Sequence, residues 1–204
     1  MKNLRDKYNS NFNKSSLICL KKEMKNKRIF LALGIAAFAL SVFQSCSSVG
    51  IPDGVTAVQN FEKHKYLGKW YEIARFDFRF ERNLDNTTAE YSVNPDGTIK
   101  VLNKGYNFKK QMWDSAEGKA KFVGSESEAR LKVSFFGPFY AGYNVVDIDK
   151  DYQTALVYGS STKYIWILSR TKTIDNATKN RLLEKAKKDG YDVSQFIWVK
   201  HDKD

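Results

Sequence analysis

The chain has 204 residues, enough for one well-packed domain behind a leader segment, and its formal net charge of +11 suggests a nucleic-acid partner. The distribution of this charge excludes nucleic acid, because residues 1–45 carry nine Lys/Arg against two Asp/Glu, whereas the remainder carries 25 against 21. The two cysteines, Cys19 and Cys46, both precede the predicted domain, which therefore contains neither a disulfide nor a thiol.

The leader has the pattern of a secretory signal from Met24 onward. A basic stretch at 25–28 precedes an apolar run over 29–42, which is too short to span a bilayer comfortably. Residues 1–23 are polar, which favours Met24 as the true start of translation. Cys46 follows a small residue after this run and resembles the cleavage site of a bacterial lipoprotein, where the new amino-terminal cysteine receives acyl chains.

Two outcomes stay open for Cys46. The residues before it, Phe43 and Gln44, depart from the commonest lipoprotein pattern, so cleavage by an ordinary signal peptidase and simple secretion is the alternative. We predict lipidation, which would anchor the chain firmly, and Ser47 resembles the residue of lipoproteins that are sent to the outer membrane. The predicted division is a leader and signal peptide at 1–45, a lipidated flexible tether at 46–59 and a barrel domain at 60–204.

Short alternating runs separated by turn signals fill the middle of the chain. The first run, at 68–76, places Gly68 two residues before Trp70, which suits a strand that enters a tight barrel mouth. Seven further runs are predicted at 87–93, 98–106, 118–123, 129–136, 142–148, 154–158 and 164–169. Regularly spaced short strands without intervening helices predict an all-β fold, either a sandwich or a closed barrel.

One helix is predicted near the C-terminus. Asp175 is a suitable N-cap, and Gly190 is a suitable terminator. Between them, Leu182 and Ala186 belong to an apolar stripe that should pack on the outside of the sheet. A last apolar run at 196–199 predicts a short closing strand.

Trp70 is a large apolar side chain at the start of the first predicted strand, and it needs a cover on its exposed side. Arg170 directly follows the last predicted strand, and we expect its guanidinium group to stack over the indole. The alternative is that Trp70 is an ordinary core residue and Arg170 an ordinary surface charge.

Three ordered motifs of this sequence resemble the signatures of the lipocalin family. They are GKWYE at 68–72, the Asp-Tyr pair within 147–158, and the arginine after WILS at 166–169. The signature residues are Gly68, Trp70, Asp151, Tyr152 and Arg170. The longer run VSFFGPFYAGYNV at 133–145 closely resembles the bacterial outer-membrane lipocalins, which are apolipoprotein D-like. The resemblance covers 58–201 and implies an eight-stranded antiparallel up-and-down barrel with one C-terminal helix packed on its outside.

The resemblance places Trp70 inside the barrel, and strict alternation from there predicts which side chains face a ligand. These are Glu72, Ala74, Phe76, Ala89, Tyr91, Val101, Asn103, Val133, Phe135, Tyr143 and Trp166. The set is mostly apolar with a few polar groups, as expected for a pocket that takes an acyl chain with an orienting end. Its small members predict a real cavity, and the alternative is a filled barrel. For Glu72 we favour a structural role over head-group binding.

The resemblance implies a membrane-anchored protein that holds a fatty acid or lysophospholipid, for storage or transport of lipids in envelope maintenance or stress. A lipid-active enzyme and a structural envelope lipoprotein with a filled barrel are the alternatives.

We predict no catalytic residue, no cofactor and no metal site. His64 and His201 lie at the two ends of the domain without an evident partner. The alternating acidic residues at 147–151 lack the glycine of a calcium loop, which favours a simple turn. The aromatic turn at 135–140 would either rim the barrel mouth or contact a second copy, so a homodimer stays open.

Overall fold

Eight antiparallel strands close into a barrel in the structure, a computed structural model that describes residues 49–203. The strands are β1 Gly68–Arg75, β2 Leu84–Val93, β3 Ile99–Asn107, β4 Met112–Phe122, β5 Arg130–Phe136, β6 Phe139–Ile148, β7 Thr154–Tyr158 and β8 Ile165–Ser169. Each strand pairs with the next, and β1 pairs with both β8 and β2, which closes the barrel. The predicted barrel is confirmed. The leader, with Cys46, lies outside the described residues.

The two ends of the barrel differ, because successive connections of an up-and-down barrel alternate between them. The open end is formed by the connections at 76–83, 108–111, 137–138 and 159–164. At the closed end the chain enters through a short helix, α1 Lys63–Tyr66, and Trp70 fills the floor with no exposed surface.

Strand β1 contains an irregularity that changes which side chains face inward. Its register with β8 shifts between Glu72 and Ala74, so the alternation established by Trp70 does not continue to the end of the strand. Ala74 and Phe76 instead belong to a second apolar cluster outside the barrel wall, which includes Leu182. The prediction that Ala74 and Phe76 line the interior is therefore wrong.

The C-terminal segment packs on the outside of the barrel as predicted. Helix α2, Asn176–Lys188, begins at Asp175, whose carboxylate accepts a hydrogen bond from a backbone N–H in the first turn, and Leu182 and Ala186 are fully buried. A short 3-10 helix spans Val193–Gln195. Strand β9, Ile197–Trp198, then pairs with the end of β1 beyond the residues that pair with β2. Within the described part of the chain, no helix is long and apolar enough to cross a membrane.

The segment before α1 is attached to the barrel wall and is not the free tether that was predicted over 46–59. The carbonyl of Gly50 accepts a hydrogen bond from Asn144 Nδ2 at 3.1 Å, and the Val58 amide donates to the carbonyl of Val145 at 2.9 Å. Its buried apolar side chains include Val55 and Ala57. Burial of these side chains offsets the entropy cost of ordering the segment. The composition of the segment did not indicate this ordering.

Candidate ligand-binding site

A cavity of about 600 Å³ occupies the barrel between its floor and its open end. Its volume lies within the range of about 300–1,000 Å³ that is typical of small-molecule sites. The barrel is therefore not filled by its own side chains. Nine of the eleven residues predicted to face a ligand line this cavity: Glu72, Ala89, Tyr91, Val101, Asn103, Val133, Phe135, Tyr143 and Trp166. Their part in binding stays a prediction.

Several lining residues come from the long connection between β1 and β2, which strand alternation could not identify. Phe78, Phe80 and Glu81 of this loop all border the cavity. The loop turns inward because Arg75, which is 3% exposed, donates to the carbonyl of Glu81 in the loop and to that of Leu84 at the start of β2, at 2.9 Å each. The one available signal in the sequence was the pair of phenylalanines two residues apart, Phe78 and Phe80.

Arg75 also makes the only ion pair of the described chain in which both side chains are under 10% exposed. Its guanidinium donates to Glu72 Oε1 at 2.6 Å. Burial raises the pKa of Glu72, while the Arg75 charge and hydrogen bond act in the opposite direction. Arg75 thus joins Glu72 to the β1–β2 connection at the cavity wall, and the structural role of Glu72 stays a prediction.

Glu81 is a second acidic side chain at the cavity wall, nearer the open end. Its Oε2 accepts a hydrogen bond from Trp166 Nε1 at 3.0 Å. Burial, reinforced by the neighbouring Glu72 carboxylate, raises the pKa of Glu81 to about 8. At neutral pH this side chain is therefore mostly protonated, and it offers a hydrogen bond without a charge.

Three tyrosine hydroxyls meet near the closed end of the cavity. Tyr143 Oη lies 2.6 Å from Tyr66 Oη and 2.8 Å from Tyr91 Oη. Burial raises the pKa of all three hydroxyls, so they stay neutral. The three hydroxyls form a neutral polar group near the floor of a cavity whose wall is mostly apolar.

Asn103 supplies an unsatisfied acceptor half-way along the wall. Its Oδ1 is buried and has no hydrogen-bond partner, although the residue lines the cavity. A buried polar atom without a partner carries a free-energy cost, so a ligand that donates a hydrogen bond here would be stabilised.

The signature residues gather at the closed end and have structural contacts. Arg170 Cζ lies 3.8 Å from the centroid of the Trp70 ring, which is the contact that the sequence predicted. The same guanidinium donates to the carbonyls of Lys65 and Lys69 at 2.7 Å. Gly68 adopts a φ of +91°, which favours glycine at the entrance to β1.

The second signature forms a turn that supports Arg170. The carboxylate of Asp149 accepts hydrogen bonds from the amides of Asp151 and Gln153, as a turn requires. Tyr152 accepts a bond from Arg170 Nε at its carbonyl, at 3.3 Å. The predicted turn is confirmed, and the residues that the structure describes contain no cluster of ligands suited to a metal.

A comparison with known sequences assigns the chain to a protein family. The profile of the family described as "Lipocalin-like domain" matches residues 61–201, most of the described chain. The chain belongs to the lipocalin family. It is 54% identical to the outer membrane lipoprotein Blc of Escherichia coli K12 over 169 residues, which cover 83% of this chain and 96% of that protein.

Other relatives agree with the predicted resemblance to bacterial outer-membrane lipocalins and apolipoprotein D. Outer membrane lipoprotein Blc of Vibrio cholerae is 48% identical over 74% of this chain and 89% of its own. Apolipoprotein D of Rattus norvegicus is 35% identical over 55% of this chain and 62% of its own. Insecticyanin of the tobacco hornworm Manduca sexta, at 22% identity, shares the fold alone, with a TM-score of 0.61 over 74% of this chain and 86% of that one.

These relationships support a lipid-anchored location at the outer membrane and a lipid-binding function. Lipocalins are generally binding proteins and not enzymes.

Proposed function

We propose that the barrel holds one lipid with a single apolar chain, either a fatty acid or a lysophospholipid, and acts by binding it without chemical conversion. The observation that carries this proposal is the cavity of about 600 Å³, enclosed by apolar strands and open at one end. A role in storing or moving lipids during envelope maintenance or stress follows from such binding beside a membrane, with the anchor at Cys46.

The polar groups of the cavity indicate how the lipid lies. The acyl chain would occupy the apolar wall formed by residues such as Val101, Leu131 and Val133. The head group would stay towards the open end, where Glu81 and Trp166 form their hydrogen bond and water can reach it.

Charge in the cavity is balanced at neutral pH, which bears on the ligand class. Arg75 pairs with Glu72, and Glu81 carries a proton because of its raised pKa. The wall therefore accepts the carboxylate of a fatty acid without repulsion, and it equally accepts a zwitterionic head group. The unpartnered Asn103 Oδ1 favours ligands that bring a hydroxyl or ammonium donor, which a lysophospholipid has and an ionised fatty acid lacks.

Binding without conversion is supported by the positions of the two histidines. His201 contacts the backbone carbonyl of Glu72 through Nε2 at 2.9 Å, and neither His201 nor His64 is among the residues that line the cavity.

A bulky substitution in the cavity tests the proposal. Val133 lines the cavity, and Val133→Trp should occupy the space of the acyl chain and lower lysophospholipid affinity at least about tenfold. The matched control is Val123→Trp, because Val123 is 42% exposed at the closed end and does not line the cavity. Equal affinities of the two variants, measured by titration of the delipidated domain, would contradict binding in the barrel.

A further inference from the structure

The open end of the barrel carries large apolar side chains that soluble proteins usually cover. Phe80, Phe136 and Phe139 are 55%, 67% and 65% exposed. Phe80 comes from the β1–β2 connection and Phe136 from the end of β5, yet their ring centroids lie 6.1 Å apart. These residues form one aromatic patch on the rim, and exposed patches of this kind mark interaction surfaces.

The patch continues into the cavity. Phe78 lies 5.2 Å from Phe80 and 6.3 Å from Trp166 between ring centroids, so aromatic rings follow one another from the rim to the cavity wall. The cavity is lined by Phe78 and by the three phenylalanines of the aromatic patch, Phe80, Phe136 and Phe139. A surface that only bound another protein would not need this continuity with the interior.

A second exposed group spans the neighbouring connection between β3 and β4 and the first two residues of β4. Phe108, Met112 and Trp113 are 48%, 51% and 46% exposed. Two lysines, Lys109 and Lys110, lie between them in sequence and are also exposed. Aromatic residues interleaved with lysines suit the interface of a bilayer, where rings enter the head-group layer and cations meet lipid phosphates.

Charge separates the two ends of the barrel. The four connections of the open end contain five Lys/Arg and two Asp/Glu, whereas the three connections between strands at the closed end contain one Lys and five Asp/Glu, of which Glu126 pairs with Lys63. Approach to an anionic surface is therefore favoured with the open end first.

The start of the described chain lies near the open end. Asn144 Nδ2, which holds the carbonyl of Gly50, also donates to the carbonyl of Gly159 at 3.2 Å. Gly159 begins the connection between β7 and β8, which belongs to the open end. Three residues lie between Gly50 and the predicted lipid attachment at Cys46, and the four steps along the chain span at most about 14 Å. A bilayer that held the anchor would thus lie near this end.

We propose that the open rim docks on the surface of a bilayer that contains anionic lipids, with the aromatic patch in the head-group layer, so that lipid passes between bilayer and cavity without crossing water. Docking goes beyond the proposed lipid binding, and only the passage of lipid rests on that function. Vesicle binding measures docking, and uptake of lysophospholipid from solution measures lipid binding.

Vesicle flotation of the domain from Ser47 onward tests docking without the lipid anchor. The described residues build both apolar clusters by themselves, so this part is expected to fold alone. We expect the bound fraction to rise at least about fivefold when zwitterionic vesicles receive about 30% phosphatidylglycerol, and to fall as salt is added.

Two pairs of variants assign the docking to the open end. Phe136→Ser with Phe139→Ser should lower vesicle binding about fivefold or more, whereas the control Val93→Ser with Val123→Ser, at exposed closed-end positions, should leave it unchanged. Lys109→Glu with Lys110→Glu should abolish the preference for anionic vesicles without changing lysophospholipid uptake from solution, because neither lysine lines the cavity. The control for this charge reversal is Lys187→Glu with Lys188→Glu on helix α2, which should bind vesicles like the unmodified domain.

Three results would overturn the proposal. The first is the absence of binding to both vesicle types, and the second is equal binding by the rim variants and their controls. The third is a dimer, detected by sedimentation, that binds no vesicles and that dissociates when the two serine substitutions are made at the rim. The last result would identify a second copy as the occupant of the patch. If the unmodified domain takes up lysophospholipid but binds no vesicles, docking alone is refuted. If the unmodified domain binds vesicles but takes up no lipid, the proposed function is refuted.

Discussion

Trp166 Nε1 donates a hydrogen bond to Glu81 Oε2 at 3.0 Å, and this bond joins the β1–β2 connection to strand β8 across the cavity wall. An indole N–H can only donate, so the carboxyl group accepts in either protonation state. The same burial that shields the bond disfavours the ionised form of Glu81, which makes this contact sensitive to pH.

We predict that Glu81→Gln stabilises the protein increasingly as pH rises. The pKa of Glu81 is raised from an ordinary value of 4.5 to about 8 in the folded state, so between these values the folded state holds a proton that the unfolded state has released. Stability from this group is fully present below about pH 4.5 and is lost as pH rises through 8. Glutamine keeps an oxygen that accepts the hydrogen bond from Trp166 but does not ionise. At pH 9 the variant should therefore be more stable than the unmodified protein by about 1–3 kcal/mol.

Urea unfolding at pH 5, 7 and 9 measures this difference. Glu90→Gln, at an exposed position of β2, is the control and should follow the unmodified protein at each pH. A difference between Glu81→Gln and the unmodified protein that stays constant from pH 5 to pH 9 would contradict the raised pKa.

Arg75→Met should destabilise the protein by about 3–5 kcal/mol, because it leaves the buried Glu72 carboxylate without its partner. It also removes the donors to the carbonyls of the β1–β2 connection. Adding Glu72→Gln should recover part of the loss, since no charge is then buried alone. Chemical unfolding of both single variants and the double variant measures the coupling, and strict additivity of the two single effects would show that the ion pair is not the cause.

Arg170→Ala should lower the free energy of unfolding by about 1–3 kcal/mol. It uncovers the Trp70 ring and leaves carbonyls at the closed end without their donor. Arg181→Ala, which removes an exposed ion pair with Asp147 on the outside of the barrel, should cost no more than about 1 kcal/mol. If thermal unfolding of the two variants were the same, the contact between Arg170 and Trp70 would not stabilise the fold.

Asn103→Leu separates the two ligand classes. It removes the unpartnered acceptor in the cavity wall while keeping a side chain of similar size. Affinity for a lysophospholipid should fall about 2–10-fold, and affinity for a fatty acid should stay the same or rise. Parallel titrations of the delipidated domain with both lipids measure this ratio, and an equal change for both would mean that Asn103 does not contact the head group or glycerol.

Much of the site could be predicted because side chains alternate locally along the relevant stretches of β2, β3, β5, β6 and β8, although β2, β5 and β6 also contain register shifts. Each interior residue predicted on them, from Ala89 to Trp166, lines the cavity. On β1 the alternation predicts the position of Glu72 correctly and that of Ala74 wrongly, because the shift of register lies between these two residues. No residue type in the sequence indicates this shift.

Two other features depended on tertiary contacts that a local pattern does not contain. The β1–β2 connection turns inward because Arg75 binds its carbonyls, so Glu81 reaches the cavity although it lies in a loop. Likewise, the segment from Gly50 appeared suited to a tether by composition, and a hydrogen bond from Asn144 holds it on the wall. Long-range hydrogen bonds of this kind are decided by the fold and not by neighbouring residues.

The central claim is that the cavity holds one lipid, and native mass spectrometry of the domain from Ser47 onward tests it most directly. Spectra would be recorded after purification from bacteria, after delipidation, and after adding a lysophospholipid or a fatty acid back. We predict a mass excess equal to one lipid, lost on delipidation and restored by one equivalent, with less uptake by Val133→Trp than by Val123→Trp. A domain that shows no excess and takes up neither lipid at any ratio would contradict the account.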